Sequence, residues 1–141
     1  MKILVDSNIA LDAVLKRQPF CGSASIIIGL SEGSVGLFLS ASAITDIYYI
    51  VRKATGSKET AITLLKNLLE TVDVAAVSGN EIRQAIMLDW PDFEDAVQYA
   101  AGESIAVDYI VTRNKADFSS AGLPIVSPDE LLALLDKPES K

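Results

Sequence analysis

The chain has no histidine and one cysteine, Cys21, in 141 residues. Without histidine there is no Ser-His-Asp triad, no Cys-His pair, no imidazole acid–base catalysis and no His-ligated zinc. One cysteine rules out an internal disulfide and a multi-cysteine zinc site, and it fits a reducing cytoplasm. Long apolar runs are also missing. The densest, Ile26 to Leu30, is flanked by Ser25 and by Ser31-Glu32-Gly33, well short of the ~20 residues that span a bilayer. The amino-terminal run is shorter than a signal-peptide core and ends at Asp6, so no membrane segment and a cytoplasmic location are expected. Basic charge is scarce: 12 Lys and Arg stand against 19 Asp and Glu, a formal net charge of −7. Such a chain cannot hold a polyanion through overall charge. It would need local basic patches, a metal ion, or both. Any chemistry must therefore use carboxylates, hydroxyls, amides, Lys or Arg.

Half of the residues are hydrophobic, enough to bury a sizeable core, and the length suits one domain. Lys2-Ile3-Leu4-Val5-Asp6 reads as a strand ending in a carboxylate, with a helix after it to about Arg17. Pro19 suits the first turn of a second helix, which stops near residues 32–34. Val35 to Leu39 reads as a buried strand. Ser40 and Ser42 supply capping hydroxyls to a third helix, about Ala43 to Ala54, with Ile44, Ile47, Tyr48 and Val51 inward and Gly56 ending it. Ser57 caps a fourth helix, through about Glu70, with Ile62, Leu65, Leu68 and Leu69 inward. Val72 to Val77 is a strand, and Ser78-Gly79-Asn80-Glu81 is a capping box opening a helix through about Leu88. A helix from about Phe93 to Ser104 places Ala96, Val97, Ala100 and Ala101 in the core. Tyr109 to Thr112 is a strand, Arg113 to Phe118 a polar loop or single helical turn, and Pro124 to Val126 a last strand. A second capping box, Ser127-Pro128-Asp129-Glu130, opens a final helix through Leu135. This alternation predicts an α/β fold with a mostly parallel sheet covered by helices on both faces. One domain spans residues 1–136, with 137–141 a frayed tail.

Carboxylates cluster at strand ends and helix starts. Asp6 ends the first strand. Asp46 lies in the opening turns of the helix after the second. Asp92 and Asp95, three residues apart, share a helix face. Asn114 and Asp117 follow Thr112 at another strand end. A doubly wound sheet gathers such positions on one edge. Converging carboxylates repel and raise one another's pKa unless a cation intervenes. A hard divalent ion with oxygen ligands suits the set, and it favours metal-assisted phosphodiester hydrolysis.

Four segments, in this order, carry a resemblance. Ile3-Leu4-Val5-Asp6-Ser7-Asn8, Ser42 to Tyr49 around Asp46, Asp92-Phe93-Glu94-Asp95-Ala96, and Val111-Thr112-Arg113-Asn114-Lys115-Ala116-Asp117-Phe118 resemble the acid-bearing segments of PIN-domain proteins, close to the VapC-like toxin nucleases. The resemblance covers nearly the whole chain. It implies a three-layer α/β/α sandwich around a parallel sheet of about five strands, and RNA cleavage dependent on Mg²⁺ or Mn²⁺. It also implies a cognate antitoxin and a homodimer. By position, Asp6, Asp46 and Asp95 become the metal-binding acids, and Asp117 with Asn114 the fourth position. Two departures stand out. Asp46 is shorter than the common Glu, so a water can intervene at the metal. Asn114 replaces a common Asp, which leaves one metal or two open.

Each residue also has a plainer role. Asp92 is equally well a helix N-cap or a ligand. Ser7, Asn8 and Thr112 support the site or shape its turns. Arg52, Lys53, Arg113 and Lys115 contact RNA phosphates or are ordinary surface charge. Asp12 and Asp89 read as exposed acids, Tyr48 and Tyr49 as packing residues, Phe20, Phe38 and Trp90 as core or interface, and Cys21 as a small buried hydrophobe. A haloacid-dehalogenase-like phosphatase would need an acid where Asn8 stands. A receiver domain would need one where Ser78 follows the middle strand. The remaining alternative is a non-catalytic PIN-like module that binds RNA or protein.

Overall fold

The central strand β1 (Lys2–Val5) is apolar on both of its faces, with Ile3, Leu4 and Val5 fully buried. Such a run suits a parallel strand covered on both sides rather than an amphipathic edge. The computed structural model describes residues 1–30, 35–118 and 121–136. The expected stop of the second helix at 32–34 and the tail at 137–141 lie outside them. From β1 the chain runs through α1 (Ser7–Val14), α2 (Cys21–Ile28), β2 (Gly36–Ser40), α3 (Ala41–Thr55), α4 (Lys58–Leu69), β3 (Asp73–Ala75), α5 (Gly79–Leu88), α6 (Phe93–Ser104) and β4 (Tyr109–Val111). A 3-10 turn (Lys115–Phe118), β5 (Ile125–Val126) and α7 (Pro128–Asp136) complete it.

The strands form one five-stranded sheet in the order β3-β2-β1-β4-β5, and every pairing is parallel. β1 is flanked by β2, with Leu4 opposite Phe38, and by β4, with Leu4 opposite Ile110. Alternate side chains point to opposite layers. Ile3 and Val5 join Ile9, Ile27, Ile47, Leu68 and Leu131 on the face covered by α1 to α4 and α7. Leu4 and Ile110 join Tyr99, Ala101 and Phe118 on the other. The expected three-layer α/β/α sandwich is the observed one. α6 packs close to β1: a Cβ on Gly102 would lie 3.1 Å from Leu4 Cδ2. Trp90 is core-packed as expected, its ring centroid 5.0 Å from Tyr99 and 5.8 Å from Phe118. Among the described residues, no helix is long and apolar enough to cross a membrane.

Most helix starts fall where their capping residues predict. Ser40 accepts from Ala43 N at 3.2 Å and Ser57 from Thr60 N at 3.1 Å. Both capping boxes close, at Ser78–Glu81 and at Ser127–Glu130. Glu81 also accepts from Ser104 Oγ at 2.7 Å, fastening α5 to α6, and hydrogen bonds led by Ser78 hold its carboxyl down at about 2. Gly56 ends α3 at φ 69°, a left-handed conformation that suits glycine.

Several expectations need correction. Ser42 does not cap α3; its hydroxyl pairs with that of Ser40 at 3.0 Å. Pro19 lies in the turn ahead of α2, which starts at Cys21. On α4 the inward face is Ala61, Leu64, Leu65 and Leu68, while Ile62 and Leu69 are exposed. Each outward residue is one step, about 100°, round from an inward one. Tyr49 is exposed, Tyr48 alone packing against the core. Cys21 is only partly buried, its Sγ 3.7 Å from Ser25 Oγ.

Candidate active site

The strand order reverses at β1, which sends β2 to one side and β4 to the other. The crevice beyond the carboxyl ends of β1 and β4 is therefore the topological switch point, the usual ligand position in open α/β sheets. Asp6 stands there. Its backbone N–H continues the ladder to Val111 O at 3.0 Å, and its carbonyl accepts from Ile9 N at 2.9 Å, starting α1. It occupies the N-cap position, yet its side chain makes no capping hydrogen bond and is free to face the crevice. Only 4% exposed, its carboxylate accepts from Thr112 Oγ1 at 2.8 Å. The same Thr112 oxygen accepts from Asn114 N at 3.0 Å, and Asn114 O accepts from Asp117 N at 3.0 Å. One buried hydroxyl thus links the ends of β1 and β4 to the turn that carries Asp117. Burial raises the pKa of Asp6. Thr112, Gln98 and the N–H groups of Ser7 and Asn8 oppose that shift by favouring the charged form.

Asp95, in the first turn of α6, is partly buried and has its pKa pushed up to about 7. Burial is the largest cause, followed by the charges of Asp92, Asp6 and Asp117. The crevice therefore brings the charges of Asp92, Asp6 and Asp117 to bear on Asp95. Asp92 is a cap: its carboxylate accepts from Asp95 N at 3.0 Å. It is exposed, and it still adds its charge to the group. Asn114 and Asp117 are exposed on the turn after β4. Asp46 is partly buried in the second turn of α3 and is not among the charges acting on Asp95. Ser7 and Asn8 open α1, Ser7 nearly buried.

The candidate phosphate contacts are variously engaged. Arg113 donates to Asp12 through Nε at 2.7 Å and Nη2 at 3.3 Å, with its guanidinium 3.9 Å over the ring of Phe20. Lys115 pairs with Glu130 at 2.9 Å, and Arg52 donates to Tyr48 Oη at 3.3 Å. Lys53 is exposed on the last turn of α3. The expectation of an exposed Asp12 is overturned. Asp12 is fully buried, and Arg17 at 3.7 Å adds a second cation to the Arg113 pair. Asp89 is exposed as expected.

Sequence reasoning missed Gln98. It lies on α6 three residues after Asp95, so the two share a helix face, and it is 1% exposed. Its amide reaches close enough to Asp6 to favour the carboxylate's charge, yet neither Nε2 nor Oε1 has a partner at hydrogen-bond geometry. The spacing from Asp95 was the available signal.

The donor set suits a hard divalent ion: oxygen ligands, no imidazole, and like charges whose repulsion a cation relieves. Among the described residues, however, no three Asp, Glu or Cys side chains stand as a ready-made metal cluster. Three acids bear on Asp95 without being drawn together into a ligand cluster.

A profile for the family described as "PIN domain" matches residues 2–116. A search of curated proteins returns no match. Among solved structures, the chain is similar to VapBC-1 from nontypeable Haemophilus influenzae, with a TM-score of 0.70 and 18% identity, covering 92% of this chain and 99% of that one. It is also similar to VapBC2 from Rickettsia felis, bound to a DNA fragment from its promoter, with a TM-score of 0.69, 15% identity and coverage of 90% and 98%. A third is Mycobacterium tuberculosis VapC20, described as a Sarcin-Ricin loop cleaving toxin, with a TM-score of 0.68, 18% identity and coverage of 86% and 95%. At these identities the likeness is one of fold.

Proposed function

The chain belongs to the PIN-domain family, and from that premise we propose that it is a metal-dependent ribonuclease, hydrolysing RNA phosphodiester bonds with Mg²⁺ or Mn²⁺. The observation that carries this reading is the group Asp6, Asp92, Asp95 and Asp117 at the switch point, whose crowding with burial lifts Asp95 to about 7. Asp6 and Asp95 would hold the ion. Asp117 would add a third donor and Asp46 would join through a water, while Asp92, which caps α6, would contribute its charge. The bound ion would supply an activated water and neutralise charge on the phosphate. Thr112 holds one oxygen of Asp6, which fixes how that carboxylate faces the crevice. The value near 7 belongs to Asp95 without the ion; a bound cation would hold it ionised as a ligand. Lys53 and Arg52, on α3, remain candidates for the phosphate backbone; Arg113 is committed to Asp12.

The neighbouring VapBC complexes support an antitoxin partner, so the chain is read as the toxin of a toxin–antitoxin pair. A cytoplasmic location and a homodimer are further parts of the proposal that those complexes do not bear on. The exposed apolar side chains Ile82, Ile86 and Met87 on α5 are a candidate surface for a second copy. One observation favours a second reading, a non-catalytic module that binds RNA or protein: no three acids form a ready-made metal cluster among the described residues.

Cleavage of mixed cellular RNA by purified protein, with Mg²⁺ or Mn²⁺ added or chelated, separates the two readings. Cleavage is expected only with metal. Asp6→Asn and Asp95→Asn are each expected to reduce it about 100-fold or more, since the ion's charge stabilisation is worth several kcal/mol. Asp89→Asn should leave it unchanged. Absence of cleavage with either metal, with Asp6→Asn indistinguishable from wild type, supports the binding module instead.

A further inference from the structure

We propose that Gln98 is the positioning residue of the acid site: its buried amide fixes the Asp6 carboxylate and holds a water for a divalent cation. Three observations meet at this side chain. Gln98 is 1% exposed, in the layer between α6 and the sheet. Both of its polar atoms lack a partner at hydrogen-bond geometry. It follows Asp95 by three residues, on the same side of α6, and stands beside Asp6.

A buried amide without partners is costly, and each such group calls for a reason. Elsewhere this layer of α6 is alanine, valine and tyrosine, with Ala96, Val97, Tyr99, Ala100 and Ala101 all buried. An apolar side chain at 98 would have matched its neighbours. Chemistry dictates which end of the amide faces which group. An ionised carboxylate only accepts, so Nε2 is the end that serves Asp6. Thr112 already donates to one Asp6 oxygen, and Gln98 serves the carboxylate from the α6 side. Oε1 is then left to accept from water. Thr112 holds the carboxylate from β4 in the metal-free chain, and Nε2 of Gln98 would close on it from α6 when the cation binds. Orienting partners of this kind tune a ligand without touching the ion.

The inference rests on the metal reading above, and its test keeps the two apart. Mn²⁺ binding is followed by the loss of the free-ion electron paramagnetic resonance signal, for wild type and Gln98→Met. A 10- to 100-fold weaker affinity is expected for the variant, the range for outer partners of metal ligands. Its metal-free Tm is expected to equal or exceed that of wild type, because an unpartnered buried amide is exchanged for an apolar chain of similar size. A core residue with an ordinary structural role would give the opposite pattern, a lower Tm and unchanged affinity. Should Gln98→Met not fold, the Gln98 side-chain NH₂ resonances of ¹⁵N-labelled wild type must move on adding Mg²⁺; unmoved resonances overturn the proposal. Equal Mn²⁺ affinity in both proteins overturns the role of Gln98 and leaves the metal reading standing. No Mn²⁺ binding by wild type overturns both.

Discussion

Asp95→Asn is expected to stabilise the metal-free protein, and only above acidic pH. In the folded chain Asp95 titrates near 7 against an ordinary value of 3.8. Between those values the folded state keeps a proton that the unfolded state has lost. Stability therefore falls as pH rises through this window, and above about 7 the full deficit applies. About 1.4 kcal/mol per pKa unit sets a ceiling of ~4 kcal/mol, and solvent screening of a partly exposed side chain brings it to about 2 kcal/mol. One term opposes it. A charged carboxylate in the first turn of α6 gains ~0.5 kcal/mol from the helix dipole, which the amide forfeits. The net gain of ~1.5 kcal/mol corresponds to a Tm about 5 °C above wild type at about pH 8 in chelator. Near pH 5 the difference should fall to about half, because much of the deficit is not yet present. Circular-dichroism melts of both proteins across this range read the effect directly. A variant less stable than wild type at pH 8, or a difference that does not change with pH, refutes the claim that Asp95 sits in a repulsive, partly desolvated site. Added Mg²⁺ should reverse the ranking, since only wild type keeps the carboxylate that the proposed ion needs.

Other perturbations test the scaffold. Asp12→Ala leaves Arg113 without its buried partner and should cost about 3 kcal/mol, a Tm drop near 9 °C. Adding Arg113→Met should recover most of that loss, as a double-mutant cycle will show. Gly56→Ala forces a side chain into the left-handed conformation at the end of α3 and should cost about 1 kcal/mol by chemical denaturation. Ser78→Ala removes the α5 cap at about 1 kcal/mol. Amide exchange should then quicken in the first turn of α5, and α3 should be unaffected.

The features legible in the sequence were those decided by neighbours in sequence. Ser57, Ser78 and Ser127 announce helices because a cap and its acceptor lie within three residues. The inward face of α6 was plain because Ala96, Val97, Ala100 and Ala101 leave one possible phase. On α4 the apolar residues Ile62, Leu64, Leu65, Leu68 and Leu69 cover more than one face, so only packing against α3 and α1 selects Ala61 and Leu68. Asp12 looked like any acid on an amphipathic helix, and its burial is set by an arginine 101 residues further on. Asp6, Asp95 and Asp117 were found by their places at strand ends and helix starts. Gln98 escaped because its one signal, the three-residue spacing from Asp95, does not tell a buried amide from an exposed one until its surroundings are known.

The turn after β4 joins these threads. Successive residues of an extended segment point opposite ways. Thr112 turns one way and donates to Asp6, while Arg113 turns the other and grips Asp12 on α1. The same α1 begins immediately after Asp6. The Asp12–Arg113 pair and the Thr112–Asp6 bond therefore close a loop through both strand ends, one clamp on each side of the β1–β4 junction. Opening the outer clamp with Asp12→Ala is expected to shift the Thr112 amide resonance of ¹⁵N-labelled protein, and an unmoved resonance refutes the coupling. Arg113, which reads in sequence as a phosphate contact, is therefore expected to act on the candidate site from behind, through its pairing with Asp12.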